Sequence, residues 1–187
     1  MPETFVTIVE ARRSARKMTA APLRELVNAI AFATQPRAVL LDDRLGRSRR
    51  LSPSAGALHP IDVVLMRGDS RLFRYVPVNH QLENLRVAQG EHLKTFAEEC
   101  RQILPHAAGT ALVLVGDTAR VSAAYEHPQS LLWRDAGVLL QTLALVATAY
   151  RLAFCPLGIL GTPVVRALAL PDRASAFGVA VMGRIEA

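Results

Sequence analysis

Cysteine is almost missing. Cys100 and Cys155 are the only two, at no metal-ligand spacing, so neither a disulfide framework nor a cysteine-based metal site is expected. Lysine is equally scarce: Lys17 and Lys94 stand alone, and arginine supplies the rest of a net charge of +6. Aromatic residues make up 5% of the chain and form no stripe alternating with basic ones, which argues against nucleic acid as a partner despite the charge. A long apolar run is also lacking. The uncharged stretch Ala136 to Tyr150 falls short of the ~18–20 residues a membrane span needs and reads as a buried or interface helix. Met1-Pro2-Glu3-Thr4 carries no positive charge ahead of an apolar segment, so no export signal is read and a cytoplasmic setting is expected. No repeat or low-complexity tract is visible.

What is present suits one sizeable globular domain. At 187 residues and 51% hydrophobic, the chain can bury a core of its own, and no linker divides it, so 1–187 is expected to form a single domain. Periodicity predicts an amphipathic helix from Thr4 to about Arg16 and a second after Pro22, ended by Gln35-Pro36. Residues 37–53 read as a polar connection. Ile61 to Arg67 and Arg71 to Val76 read as a hairpin turning at Gly68-Asp69-Ser70. Helical character returns from Glu91 to Leu104. Ala111 to Val115 has the continuous apolar run of a central strand, and Leu131 to Leu152 reads as the longest helix. Gly161-Thr162-Pro163 reads as a break, an N-cap and a first-turn proline, and Ala176 to Met182 as a last strand. Helices and strands intermix without strict alternation, which points to α+β with a largely antiparallel sheet.

Three islands carry the chemistry. Arg12-Arg13-Ser14-Ala15-Arg16 sets three guanidiniums and a hydroxyl within five residues, a set suited to an anion, though spacing alone also fits a solvated helix end. Arg50-Leu51-Ser52-Pro53-Ser54-Ala55-Gly56-Ala57-Leu58-His59-Pro60 is small and turn-forming, so backbone there can approach a flat ligand closely; an ordinary turn has the same composition. Phe154-Cys155-Pro156-Leu157-Gly158-Ile159 follows the long helix and also reads as a plain helix exit. The arginines at 44, 47 and 49, beside Arg50, form a basic cluster that reads as a solvated loop or as a site for an acidic peptide or a dinucleotide phosphate.

In this order, across roughly residues 8–185, the islands resemble the nitroreductase-type flavoproteins, and more narrowly their SagB-type dehydrogenase branch, which includes azoline oxidases. The resemblance implies a nitroreductase-like fold in an intertwined homodimer, with helix Asp135-Ala136-Gly137 onward at its centre and FMN between the subunits. It implies that Arg12 and Ser14 hold the FMN phosphate, that Arg16 lies by the pyrimidine edge, where a cation stabilises reduced flavin, and that Arg13 serves either end. Arg50, Pro53, Ser54 and Gly56 would approach the flavin of the other subunit. Pro156, Leu157, Gly158 and Ile159 would form the loop whose N–H groups face flavin N5 and O4, and Arg184 of Met182-Gly183-Arg184 would add to the phosphate site.

The implied activity is FMN-dependent oxidoreduction, with hydride passing through N5 in a ping-pong cycle, NAD(P)H as a donor and a small molecule or peptide as substrate. Two alternatives are azoline or other peptide-modifying dehydrogenation of SagB type, and flavin binding without catalysis. The chain departs from the branch at His59, where tyrosine is usual, and before the long helix, where Ala123-Ala124-Tyr125 replaces a Lys-Tyr pair used for substrate deprotonation. Cys155 is expected to be a buried thiol, and no side chain is assigned as acid or base.

Overall fold

A computed structural model describes residues 4–40 and 42–186. Met1–Glu3, Leu41 and Ala187, which belong to the single-domain span 1–187, lie outside the described residues, as does most of the Met1-Pro2-Glu3-Thr4 opening. The elements run α1 (Phe5–Ala11), β1 (Met18–Thr19), α2 (Leu23–Thr34), β2 (Ala38–Val39), β3 (Ser48–Arg49), a 3-10 turn (Ala55–Ala57), β4 (Ile61–Arg67), β5 (Arg71–Val76), β6 (Gln81–Leu85), α3 (Glu91–Ile103), β7 (Thr110–Asp117), α4 (Thr118–Ser122), α5 (Pro128–Ala149), β8 (Leu152–Leu157), α6 (Thr162–Ala167) and β9 (Ala174–Ile185).

Seven strands form one sheet in the order β1-β9-β7-β4-β5-β6, with β8 on the free side of β9, and every strand pair is antiparallel. The central strands are covered on both faces, which is why they read as unbroken apolar runs. On β4 and β7 the residues alternate: Val63, Leu65, Leu112 and Leu114 pack with α2 and α5, while Val64, Met66, Val113 and Val115 pack with α3 and α6. This α+β architecture is the one expected. α5 is the one helix among the described residues long and apolar enough to cross a membrane, but Leu132, Ala136, Leu139, Leu143 and Ala147 are buried in the core. Each buried leucine contributes about 1.5–3 kcal/mol, so α5 is a core helix.

Several boundaries differ from expectation. α1 stops at Ala11, because Arg12 turns extended (φ −60, ψ 120) to carry the chain toward β8. α5 starts at Pro128 and stops at Ala149; Arg151 takes a left-handed φ of 55 and the apolar residues after it become β8. Phe154–Leu157 are therefore strand, paired with Met182–Val179, and only Gly158 and Ile159 remain loop. The polar connection 37–53 contains the short β2–β3 ribbon. β6, a polar edge strand, was not expected. Gly161, at φ 86, caps α6 in place of Thr162; a Cβ there would lie 2.6 Å from a Val113 methyl.

Candidate functional site

The first and third islands meet. After Arg12 the chain crosses the outer edge of β8, where the Ala15 N–H donates to the Phe154 carbonyl at 3.0 Å. An edge strand is where such a bond is available, and Pro156, with no N–H to offer, is tolerated there. The crossing opens a groove of about 940 Å³, within the range of cofactor sites. Its lining includes Arg13, Ser14, Arg16 and Lys17 from the crossing, Leu152, Ala153 and Phe154 from β8, and Thr148, Arg151, Ile185 and Glu186. The side chains of Leu152, Ala153 and Phe154 are buried in the core, so β8 meets the groove mainly with its backbone edge, while Arg13, Ser14, Arg16 and Lys17 supply donors that fit a phosphate. Arg16 is braced, its Nη2 donating to the Ile103 carbonyl at the end of α3 at 2.9 Å.

Not every expected residue reaches the groove. Arg12 is half-buried and lies outside its lining. Pro156, Leu157, Gly158 and Ile159 continue from its β8 wall without lining it. Arg184 is turned away: strand side chains alternate, so Ile185 lines the groove while Arg184 faces α2, where Glu25 takes its Nε at 3.1 Å and an Nη as well. Cys155 is buried, and burial raises its thiol pKa, consistent with an inert thiol. Lys17, Thr148 and Arg151 were not singled out from sequence; no motif marks them, and only the fold brings them in.

The second island lies elsewhere. Pro53–His59 folds against the other part of α5, held by Asp135: the Ser54 hydroxyl donates to one carboxylate oxygen at 2.5 Å and the Ala55 N–H to the other at 3.1 Å. His59 N–H donates to Ser54 Oγ at 2.9 Å, and His59 Nε2 donates to the Ser48 carbonyl at 2.7 Å. Burial, reinforced by the Arg50 charge, pushes the His59 pKa down to about 4, so the ring is neutral at pH 7. Arg50 donates from Nε to Ser48 Oγ at 3.0 Å, and burial, then the Arg120 charge, lower its pKa to about 10. The Tyr125 hydroxyl sits over Gly56, 2.8 Å from where a Cβ would be. Asp135 and Thr148 are about 20 Å apart at 1.5 Å per helical residue, so a single chain does not bring the turn to the groove. Among the described residues no cluster of His, Cys, Asp and Glu is arranged to hold a metal ion.

Known proteins with this architecture are numerous. A protein from Ralstonia eutropha JMP134 assigned as a nitroreductase superposes with a TM-score of 0.77 at 19% identity, over 100% of this chain and 85% of its own. The Lactococcus lactis nitroreductase CinD, solved with nicotinic acid, gives 0.64 at 17% identity, over 98% and 91%. The Escherichia coli microcin synthetase McbBCD complex, solved with truncated pro-MccB17, gives 0.65 at 20% identity, over 91% and 66%. At these identities the likeness speaks for the fold. No protein of curated function matches the sequence. The sequence profile of the nitroreductase family, whose members are typically FMN-dependent oxidoreductases, matches residues 9–184, and the chain belongs to that family.

Proposed function

We propose that the protein is an FMN-dependent oxidoreductase that works as a homodimer, each flavin lying in the groove of one subunit and under the Pro53–Gly56 turn of the other. The observation that carries this reading is the meeting of Arg13, Ser14, Arg16 and Lys17 with the β8 edge at Leu152–Phe154 in one groove. Bound FMN would supply hydride chemistry at N5. The chain's own residues would do the rest. Arg13 and Ser14 would grip the phosphate by charge-assisted hydrogen bonds. Arg16, braced by Ile103, would hold positive charge beside the ring, and the backbone of Gly158 and Ile159 would approach its reactive edge.

The dimer has two supports. The groove and the turn belong to opposite parts of α5, so a two-fold copy completes each site. Exposed aromatics also stand beside α5: Phe5 is 70% exposed, Trp133 49%, and Phe32, its ring tilted 55° against Tyr150 at 5.9 Å, 44%. Such groups mark interfaces. Nothing in this reading requires a membrane or an oxidising compartment, and a cytoplasmic site suits it.

SagB-type peptide modification is the second reading, favoured by the placement of Tyr125 against Gly56 at the edge of the turn. The absence of a lysine beside Tyr125 ranks it below a general oxidoreductase. The deciding experiment is to reconstitute the purified protein with FMN, record its absorbance and molar mass, and assay NAD(P)H oxidation. A yellow dimer that turns over is expected. A protein that retains no flavin from excess FMN sinks the reading; a yellow dimer inert to every donor leaves flavin binding without catalysis.

A further inference from the structure

Asp135 is the only buried carboxylate among the described residues. Acidic side chains are almost never fully buried without a partner, and the hydrogen bonds Asp135 accepts come from no cation. They come from the Ser54 hydroxyl and the Ala55 N–H, and Ser54 Oγ in turn accepts the His59 N–H. One carboxylate therefore fixes both ends of the turn. The turn needs fixing: Gly56, Ala57 and His59 have φ of 58, 57 and 47, and a non-glycine residue in that region costs about 1–3 kcal/mol. Such strain persists only where surrounding structure over-determines it, and it collects at functional sites.

The hydrogen bonds also settle what the turn can offer. A serine hydroxyl has one proton, and here it goes to Asp135. The Ala55 N–H goes there too. What the turn shows a ligand is the Pro53 ring, with no N–H, and the backbone of Gly56, with the Tyr125 hydroxyl beside it.

We propose that Asp135 is a positioning residue for the ligand site: it locks Pro53–Gly56 into the shape that seats on the flavin held by a second copy of this chain, and it takes up the Ser54 and Ala55 hydrogens, so that the Pro53 ring and the Gly56 backbone are what the turn presents. This rests on the flavin-dimer reading above. Because Asp135 stands on α5, the helix between the groove and the turn, it ties the turn's shape to the body of the subunit and not to the loop's own preferences.

The test uses Asp135→Asn and Ser54→Ala in the full chain. FMN affinity is measured by fluorescence titration, the visible circular dichroism of bound flavin is recorded, and thermal unfolding is followed in parallel. Both variants are expected to lose FMN affinity by on the order of tenfold and to change the flavin dichroism, signals that fold stability alone does not move. Should Asp135→Asn fail to fold, Ser54→Ala, which keeps the Ala55 bond, carries the test. Parent affinity and parent dichroism in folded variants overturn the inference alone; a parent protein that binds no FMN overturns the flavin reading together with it. Co-expressing Asp135→Asn with Arg13→Ala under two affinity tags gives mixed dimers. These should hold one FMN at parent affinity, since the intact turn of one subunit meets the intact groove of the other. Mixed dimers without a parent-affinity site overturn the proposal.

Discussion

The two parts of α5 carry opposite kinds of surface. Beside Thr148, an open groove presents Arg13, Arg16 and Lys17 to solvent, with donors still to spend. Beside Asp135, the Pro53–His59 turn is exposed at Pro53 and Gly56 and buried at Leu58 and His59, left-handed at three positions, and its Ser54 and Ala55 donors are already engaged. The groove is built for affinity, since exposed cations attract and grip an anion. The turn is built for shape. A site assembled from both would bind through one subunit and be finished by the other, and the comparison can be pressed from either side.

The largest effect is expected in the groove. Removing Arg13 and Arg16 together should weaken FMN binding a hundredfold or more, since each charge-assisted hydrogen bond is worth about 1.5–3 kcal/mol. Riboflavin, without the phosphate, should suffer less, and parallel titrations check this. If Arg12→Ala, outside the groove, costs more than Arg13→Ala, the groove is not the phosphate site.

In the turn, His59 sets a pH dependence. Its pKa is about 4 in the folded chain against 6.5 when free. The unfolded chain therefore binds the extra proton first as pH falls, and stability is lost between about pH 6.5 and 4, by on the order of 3 kcal/mol. His59→Asn, which tolerates the left-handed backbone, should flatten that slope in urea unfolding at several pH values; an unchanged slope would assign it to other groups. Gly56→Ala should cost about 1–2 kcal/mol from its positive φ and displace Tyr125, with FMN affinity falling as the turn shifts. The smallest effect belongs to Arg184→Ala. Its guanidinium is occupied by Glu25 on the far face of β9, so FMN affinity should be unchanged; a marked loss would mean that Arg184 leaves Glu25 when the cofactor binds.

Much of this comparison was legible in the residues, and the limits have physical causes. The hairpin of β4 and β5, strand β7 and helices α2 and α3 follow from periodicity and from Pro and Gly punctuation. β8 was hidden because its boundary is an arginine in a left-handed conformation, where glycine is the usual signal. β6 was hidden because Gln81, Glu83 and Asn84 lie on a polar edge strand, although Pro77-Val78-Asn79-His80 ahead of it has turn composition. Within the candidate site, the first and third islands stood out through the family resemblance, since their composition also fits a solvated helix end and a helix exit. Asp135 was visible only as part of a helix match, because its partners lie some eighty residues away. The orientation of Arg184 depended on which parity β9 would present to the groove.

Strand β9 has one more consequence. It follows every other strand in the chain, yet it pairs with β1, β7 and β8 at once. During synthesis, the edges of β7 and β8 that β9 covers therefore stay bare until β9 itself has emerged, and nothing local can close them sooner. The groove wall at Phe154, which pairs with Met182, cannot exist before then, so the groove can take a ligand only once β9 has docked. Expression yield should accordingly depend more on chaperone supply during elongation than on flavin supply.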